Sequence, residues 1–288
     1  MGIAYYPGCS LHALAREYDI STRLVSERLG LDLREVTDWN CCGATAAHSL
    51  DHKLAIGLSS RNLALVKDMK LDRVTTPCAG CFSRLKTASL ELKDPGKKSS
   101  IQDLGIPCEG AGAVHVSHLL QTIVEEVGLD KIREEVVRPL QGFKLAAYYG
   151  CLITRPKAIA QFDDPEQPMS LDNLLQALGA EAVQWSHKAE CCGGGFAASD
   201  TTIVIDLGGQ VLEAAKQAGA QALVVACPMC QTNLDTRQKA IEKERGKKYE
   251  LPIIYFTQLM GLAFGFSARQ MGMRKLLVKP DQLLASHG

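Results

Sequence analysis

A chain of 288 residues, 46% of them hydrophobic, can bury one large core or two of ordinary size. Lysine plus arginine and aspartate plus glutamate both number 32, and this balance argues against nucleic acid or an anionic membrane surface as the main partner. The opening MGIAYYPGCS has neither a basic n-region nor a long apolar h-region, and no apolar run reaches the ~18 residues of a bilayer span. No signal peptide and no membrane span are therefore expected, and the cytoplasm is the expected location.

In chain order, β-branched and aromatic runs predict strands at 3–6, 33–37, 73–76 and 114–116, then at 145–149, 182–185, 223–226 and 253–256. Helical periodicity fills the gaps. Leu54, Leu58, Leu65 and Met69 share one predicted face, as do Val204, Leu207, Val211, Ala214 and Ala215. Helix is also expected over 116–127 and 129–137, with Ser117 and Thr257 as N-caps. The stretch 93–113, with its glycines and prolines, reads as a long loop. Strands alternating with helices predict an α/β fold of two pseudo-symmetric halves, 1–140 and 141–288, joined near 139–142. Each half would be a short, mainly parallel sheet flanked by helices.

Cysteine carries the chemistry. There are eleven, and ten fall into two matching sets: Cys9, Cys41, Cys42, Cys78 and Cys81, then Cys151, Cys191, Cys192, Cys227 and Cys230. The sets read C-x31-CC-x35-C-x2-C and C-x39-CC-x34-C-x2-C. The flanking segments match as well: AYYPGC with AYYGC, and VHVSHLL with IYFTQLM, which contains no cysteine. A duplication explains both. Each key cysteine follows a strand, so the loops at one sheet end can gather five thiols. Thiolates are soft ligands for iron–sulfur clusters, zinc or copper(I). Four suffice for structural zinc or an ordinary cubane, so a fifth must bridge, stand by, or belong to an unusual cluster. Zinc in one half stays open as a lesser alternative. Cys108 lies outside both sets and reads as an ordinary loop or core cysteine, with an exposed reactive thiol as the alternative.

Other side chains near these motifs have ordinary explanations first. His12, His48, His52 and His187 lie close to the cysteines and are expected as surface or satisfied histidines rather than ligands. Trp39 and Trp185 precede the CC pairs and are expected to wall the sites from water, although core packing alone explains them equally well. Arg16, Arg23, Arg155 and Lys157 are solvated charges by default, and the run 239–248 is an exposed helix end. No G-x-G-x-x-G follows a strand, so electrons must enter from another protein.

The motifs YYPGC, DWNCCGA, TPCAGC, ECCGGG and ACPMCQTNLD resemble those of the cysteine-rich CCG-domain family, and within it the B-type subunits of heterodisulfide reductase, in a style nearer the bacterial members. That resemblance covers nearly the whole chain. It implies that each five-cysteine set ligates a noncubane [4Fe–4S] cluster with bridging thiolates. It also implies that the chain is the catalytic subunit that cleaves or forms a disulfide between the two clusters. In methanogen members that disulfide joins coenzyme M to coenzyme B. A flavoprotein of the HdrA type, together with a ferredoxin-like protein of the HdrC type, would deliver the electrons. The alternative within the family is an electron-relay subunit of a lactate, glycolate or glycerol-phosphate dehydrogenase complex, with no disulfide substrate of its own.

Overall fold

The computed structural model describes residues 2–44 and 47–285. Strands β1 (Ile3–Tyr5), β2 (Leu33–Glu35), β3 (Arg73–Thr76) and β4 (His115–His118) form one sheet in the order β2-β1-β3-β4. Strands β5 (Lys144–Tyr148), β6 (Glu181–Ala182), β7 (Ala222–Val225) and β8 (Ile253–Tyr255) repeat that order as β6-β5-β7-β8. Every pairing is parallel. Parallel strands covered on both faces need continuous apolar runs, and Ala222, Leu223, Val224 and Val225 are all fully buried. The α/β fold in two similar halves is thus as expected, with every strand found within a few residues of its expected place.

The principal helices are α1 (Arg16–Arg28), α2 (His52–Asp68), α3 (Ala79–Glu91), α4 (Thr201–Gln217), α5 (Pro228–Arg245) and α6 (Phe256–Ala263). Helix α2 packs on α3, and α4 packs on α5 in the same way. The repeat extends to the caps. Asp51 accepts from the Leu54 amide at 2.8 Å, and Asp200 accepts from the Thr202 amide at 2.9 Å.

Several local expectations need correction. The segment 93–113 is not a loop throughout: it contains a helix, Pro95–Gln102, whose N-cap Asp94 accepts from the Lys97 amide at 3.0 Å. Proline in the first turn behind an aspartate starts a helix rather than breaking one. The face expected of α2 is rotated: Leu54 is exposed, while Ala55, Ile56, Leu63 and Val66 are buried. The N-caps are His118 and Tyr255, not Ser117 and Thr257. Strand register explains the slip. His118 lies opposite Thr76 and Tyr255 opposite Val225, each two residues before a C-x-x-C, so these two are equivalent. The strand takes residues to His118, and helix begins only at Leu119.

A seam joins the halves. Tyr18 of α1 stacks on Tyr255 with ring centroids 4.0 Å apart, and its hydroxyl donates to the Ala226 carbonyl at 3.2 Å. Ser21 and Thr257 share a 2.7 Å hydrogen bond, and α1 packs on α6. One contiguous apolar cluster runs through both sheets.

Candidate metal centre

Parallel sheets present the carboxyl ends of all their strands on one side, and both cysteine sets gather there. Cys78 and Cys227 are the N-caps of α3 and α5, so each C-x-x-C occupies the first turn of a long helix. The positive end of the helix dipole favours thiolate there. The CC pairs sit on loops in front of α2 and α4. In the first half the Cys42 Sγ lies 3.4 Å from Cys81 Sγ, and the Gly43 amide points at Cys41 Sγ at 3.5 Å. In the second half Cys192 Sγ lies 3.5 Å from Cys230 Sγ, and the Gly193 amide reaches Cys191 Sγ at 3.3 Å. Cys151 is hydrogen-bonded to Cys191, whereas Cys9 stands exposed at the rim.

The two sets also touch one another. Cys78 and Cys227 lie near one another across the seam, each influencing the other's ionisation, and the Ala79 amide of the first half is on the Cys227 side as well. Such crowding splits the thiols into donors and acceptors. Hydrogen bonds from Cys41 and then Cys81 hold Cys42 down at about 4. A bond from Cys151 brings Cys191 to about 6 against the effect of burial. Cys227 is held well below the usual thiol range by Cys230 and Cys78. Cys41, Cys78, Cys81, Cys151 and Cys230 are pushed up, each first by a cysteine neighbour, so at Cys78 that neighbour outweighs the helix dipole.

A tyrosine lies beneath each set. Tyr6 donates to the Asn40 carbonyl at 2.7 Å and Tyr148 to the Glu190 carbonyl at 2.8 Å, the residues directly before the CC pairs. Burial and then the surrounding thiols raise both phenols far above their ordinary value. Each tyrosine therefore stays protonated and braces its CC loop. This equivalence of Tyr6 with Tyr148 leaves Tyr149 opposite Pro7, so the YY pairs of the two halves are offset by one residue. Trp39 meets Tyr6 edge-on at 5.4 Å, and buried Trp185 tilts against Tyr148 at 6.0 Å.

Two glycines permit the approach of the sulfurs. Gly8 (φ +71°) would place a Cβ 2.9 Å from Cys81 Sγ, and Gly150 (φ +66°) would place one 3.1 Å from Cys230 Sγ. Only glycine combines that backbone conformation with that clearance. Among the described residues, no three or more Cys, His, Asp or Glu side chains form a ready cage for a single ion. The sulfurs are strung along chains of contact instead. Soft donors, five to a half and folded over side-chain-free glycines, fit a bulky thiolate-bound group.

The remaining candidates are placed as follows. His12 points to Glu35 at 3.2 Å and to Trp39, His52 to Glu91 at 3.2 Å, and His187 to Ser186 at 2.7 Å. Arg16 donates to the His12 carbonyl, Arg23 pairs with Asp19 and Glu35, and Arg155 pairs with Glu166. Lys157 is exposed and Cys108 is buried. His48 contacts Arg84 at 2.8 Å. Arg84 was not legible as a site residue; its only signal is a place one helical turn beyond Cys81. The buried group of Tyr149, Asp172 and Lys188 was also missed, because these three are far apart in sequence.

The cysteine-rich domain (CCG) model matches residues 3–86 and 145–235, so the chain belongs to the cysteine-rich CCG family. Among its relatives is the B subunit of the ferredoxin:CoB-CoM heterodisulfide reductase of Methanosarcina mazei, 31% identical over 98% of this chain and 96% of that one. The 8-methylmenaquinol:fumarate reductase membrane anchor subunit of Wolinella succinogenes is also 31% identical, over 97% of this chain and 98% of the relative. A protein of Archaeoglobus profundus, named as like the heterodisulfide reductase B subunit, is 26% identical over 92% of this chain and 91% of its own. A hypothetical protein from Helicobacter pylori, at 13% identity, shares the fold with a TM-score of 0.74 over 96% of this chain and 52% of its own. No helix among the described residues is long and apolar enough to cross a membrane.

Proposed function

We propose that this chain is the iron–sulfur subunit of a heterodisulfide reductase-like complex and acts on a disulfide or thiol substrate where its two halves meet. The observation that carries this reading is the closeness of Cys78 and Cys227, the N-cap residues of α3 and α5, which sets the two donor sets side by side at the seam. On this reading, Cys9, Cys41, Cys42, Cys78 and Cys81 hold one noncubane [4Fe–4S] cluster in residues 1–140, and Cys151, Cys191, Cys192, Cys227 and Cys230 hold the other in residues 141–288. Bound clusters supply single-electron steps and iron sites with affinity for sulfur. The chain's own residues do the rest. The helix N-terminus under Cys227 favours the anionic state there, with Cys78 supporting it from the other half. Tyr6 and Tyr148 fix the CC loops and remain neutral beneath them. Trp39 and Trp185 exclude water from the flanks. Electrons would arrive through a ferredoxin-like HdrC-type protein and an HdrA-type flavoprotein, in keeping with the Methanosarcina relatives named as reductase subunits.

A second reading has its own support. The Wolinella relative, equally similar over nearly its whole length, is named as part of a fumarate reductase. A chain of this family can on that reading serve as an electron relay with no disulfide of its own. Anaerobic purification with iron and acid-labile sulfide assay, followed by disulfide reduction from an artificial donor, separates the two. Turnover of a disulfide supports the catalytic reading; intact clusters without turnover across a panel of disulfides favour the relay. Zinc without sulfide would overturn both.

A further inference from the structure

The two halves are alike in their cysteines but opposite in the charges beside them. Three residues beyond the second cysteine of each C-x-x-C stand Arg84 and Asn233. Arg84 makes no ion pair with a carboxylate among the described residues. Its guanidinium meets His48 Nδ1 at 2.8 Å, and the His48 amide donates to the carbonyl of Gly43, the residue after Cys42, at 2.9 Å. Glu91, further along the same helix, is occupied by His52 and Lys97. Asp38 on the neighbouring loop is occupied by Arg61. Arg84 thus has the Cys42 side of the site as the negative group it faces. Asn233 is buried and neutral, and its Nδ2 donates to the Cys192 carbonyl at 2.7 Å.

The positions directly before the CC pairs differ in the opposite sense. Asn40 stands before Cys41, and Glu190 stands before Cys191. Glu190 is bonded directly to Cys191 along the chain, which puts its carboxylate on the second-half side of the site. Arg155 lies 4.0 Å from it but holds Glu166 at 2.7 Å. Arg237, a turn beyond Asn233, is taken up by the Ala197 carbonyl at 3.2 Å, and Lys188 is neutralised by Asp172.

We infer that the two cysteine sets hold electrochemically unlike centres, with Arg84 raising the reduction potential of the first-half centre and Glu190 lowering that of the second. The inference rests on the cluster reading above. Each reduction adds one negative charge to a thiolate-bound centre. A half-buried cation beside it stabilises that charge, and a carboxylate opposes it. An electron entering the chain therefore rests on the first half. Both residues are positioning groups that act through the field, not ligands.

The test is an EPR-monitored redox titration of the anaerobically purified full chain, with iron and sulfide measured in each sample. Arg84→Gln moves the higher of two potentials to more negative values, Glu190→Gln moves the lower one to more positive values, and the double variant narrows the gap most. Arg84→Lys, which keeps the charge, leaves the higher potential nearer that of the wild type. The Glu190 effect is the smaller and shrinks with added salt, because that side chain is exposed. Where Arg84→Gln loads no cluster, the upward shift in Glu190→Gln decides. Full iron and sulfide with both potentials unmoved overturns the inference and leaves the cluster reading standing. Wild-type protein without sulfide overturns that reading and the inference together.

Discussion

The loop that carries the first CC pair and the loop that carries the second are held by different means. In the first half, α2 supplies side-chain amides and hydroxyls. Asn62 exchanges hydrogen bonds with the Asn40 backbone at 2.9 Å each way, and Ser59 donates to the Cys42 carbonyl at 3.2 Å. In the second half Asn233 donates to the Cys192 carbonyl at 2.7 Å in the same manner, but the segment before the pair is supported by a buried ion pair. Lys188 Nζ meets Asp172 at 2.6 Å, Tyr149 donates to the same carboxylate at 2.8 Å, and the Tyr149 and Gly150 amides donate to the Lys188 carbonyl. The first-half group of this kind, Tyr5 donating to Asp19 at 2.8 Å with Arg23 on the same carboxylate, is only partly buried, and Pro7 stands there in the place of Tyr149. Duplication has kept the donors, the bracing tyrosine and the clearance glycine, while the scaffold behind them has been rebuilt. The parts kept are those that touch the sulfurs.

This contrast can be broken at several points. The largest effect is expected from the donors: Cys42→Ala and Cys192→Ala should each remove about half of the bound iron and sulfide, since each half loads separately. Metal analysis of the two variants checks this, and loss of all iron from either would tie the halves into one site. Next comes the support of the second half. Asp172→Ala leaves Lys188 buried without a counter-charge and should cost about 3–5 kcal/mol in urea unfolding of the metal-free chain. Asn62→Ala, its first-half counterpart in role, should cost about 1 kcal/mol.

A third contrast lies in pH. His118 is fully buried, and desolvation depresses its imidazole to about 4, against an ordinary value near 6.5 in the unfolded chain. The unfolded state therefore binds the proton first. Stability from this group is complete above about pH 6.5 and is lost as pH falls toward 4, by something of the order of 3 kcal/mol. Tyr255 holds the equivalent place in the second half and does not titrate there. His118→Gln should flatten the acid limb of a melting-temperature profile; an unchanged limb would mean that other groups set it. The smallest effect is at the braces. Tyr6→Phe and Tyr148→Phe each strand a carbonyl before a CC pair and should cost about 1 kcal/mol, with slower cluster loading seen in the visible absorbance.

Strands were legible because parallel strands buried on both faces need unbroken β-branched and apolar runs, and Ala222–Val225 is such a run. The donor sets were legible because they repeat at matched spacing. Caps were harder. Ser117 and Thr257 have the right chemistry for N-caps, but strand pairing claims the first and helix the second, and His118 takes the role through its ring nitrogen, 3.1 Å from the Leu120 amide. The rotated face of α2 has a related cause: the helix buries small residues such as Ala55 and Gly57 against its neighbours, and leucine spacing alone points elsewhere. Arg84, Asp172 and Lys188 left no local pattern, because their roles depend on what folding brings beside them.

On the proposed reading Cys78 and Cys227 bring the two clusters side by side, and EPR of the anaerobic, fully reduced chain reads that closeness most directly. Two clusters held by adjoining C-x-x-C turns should be close enough for their spins to interact, giving a split or broadened signal that collapses to a simple one in Cys42→Ala. Two independent, unbroadened signals in the wild type, or a spectrum unchanged by Cys42→Ala, would contradict the arrangement.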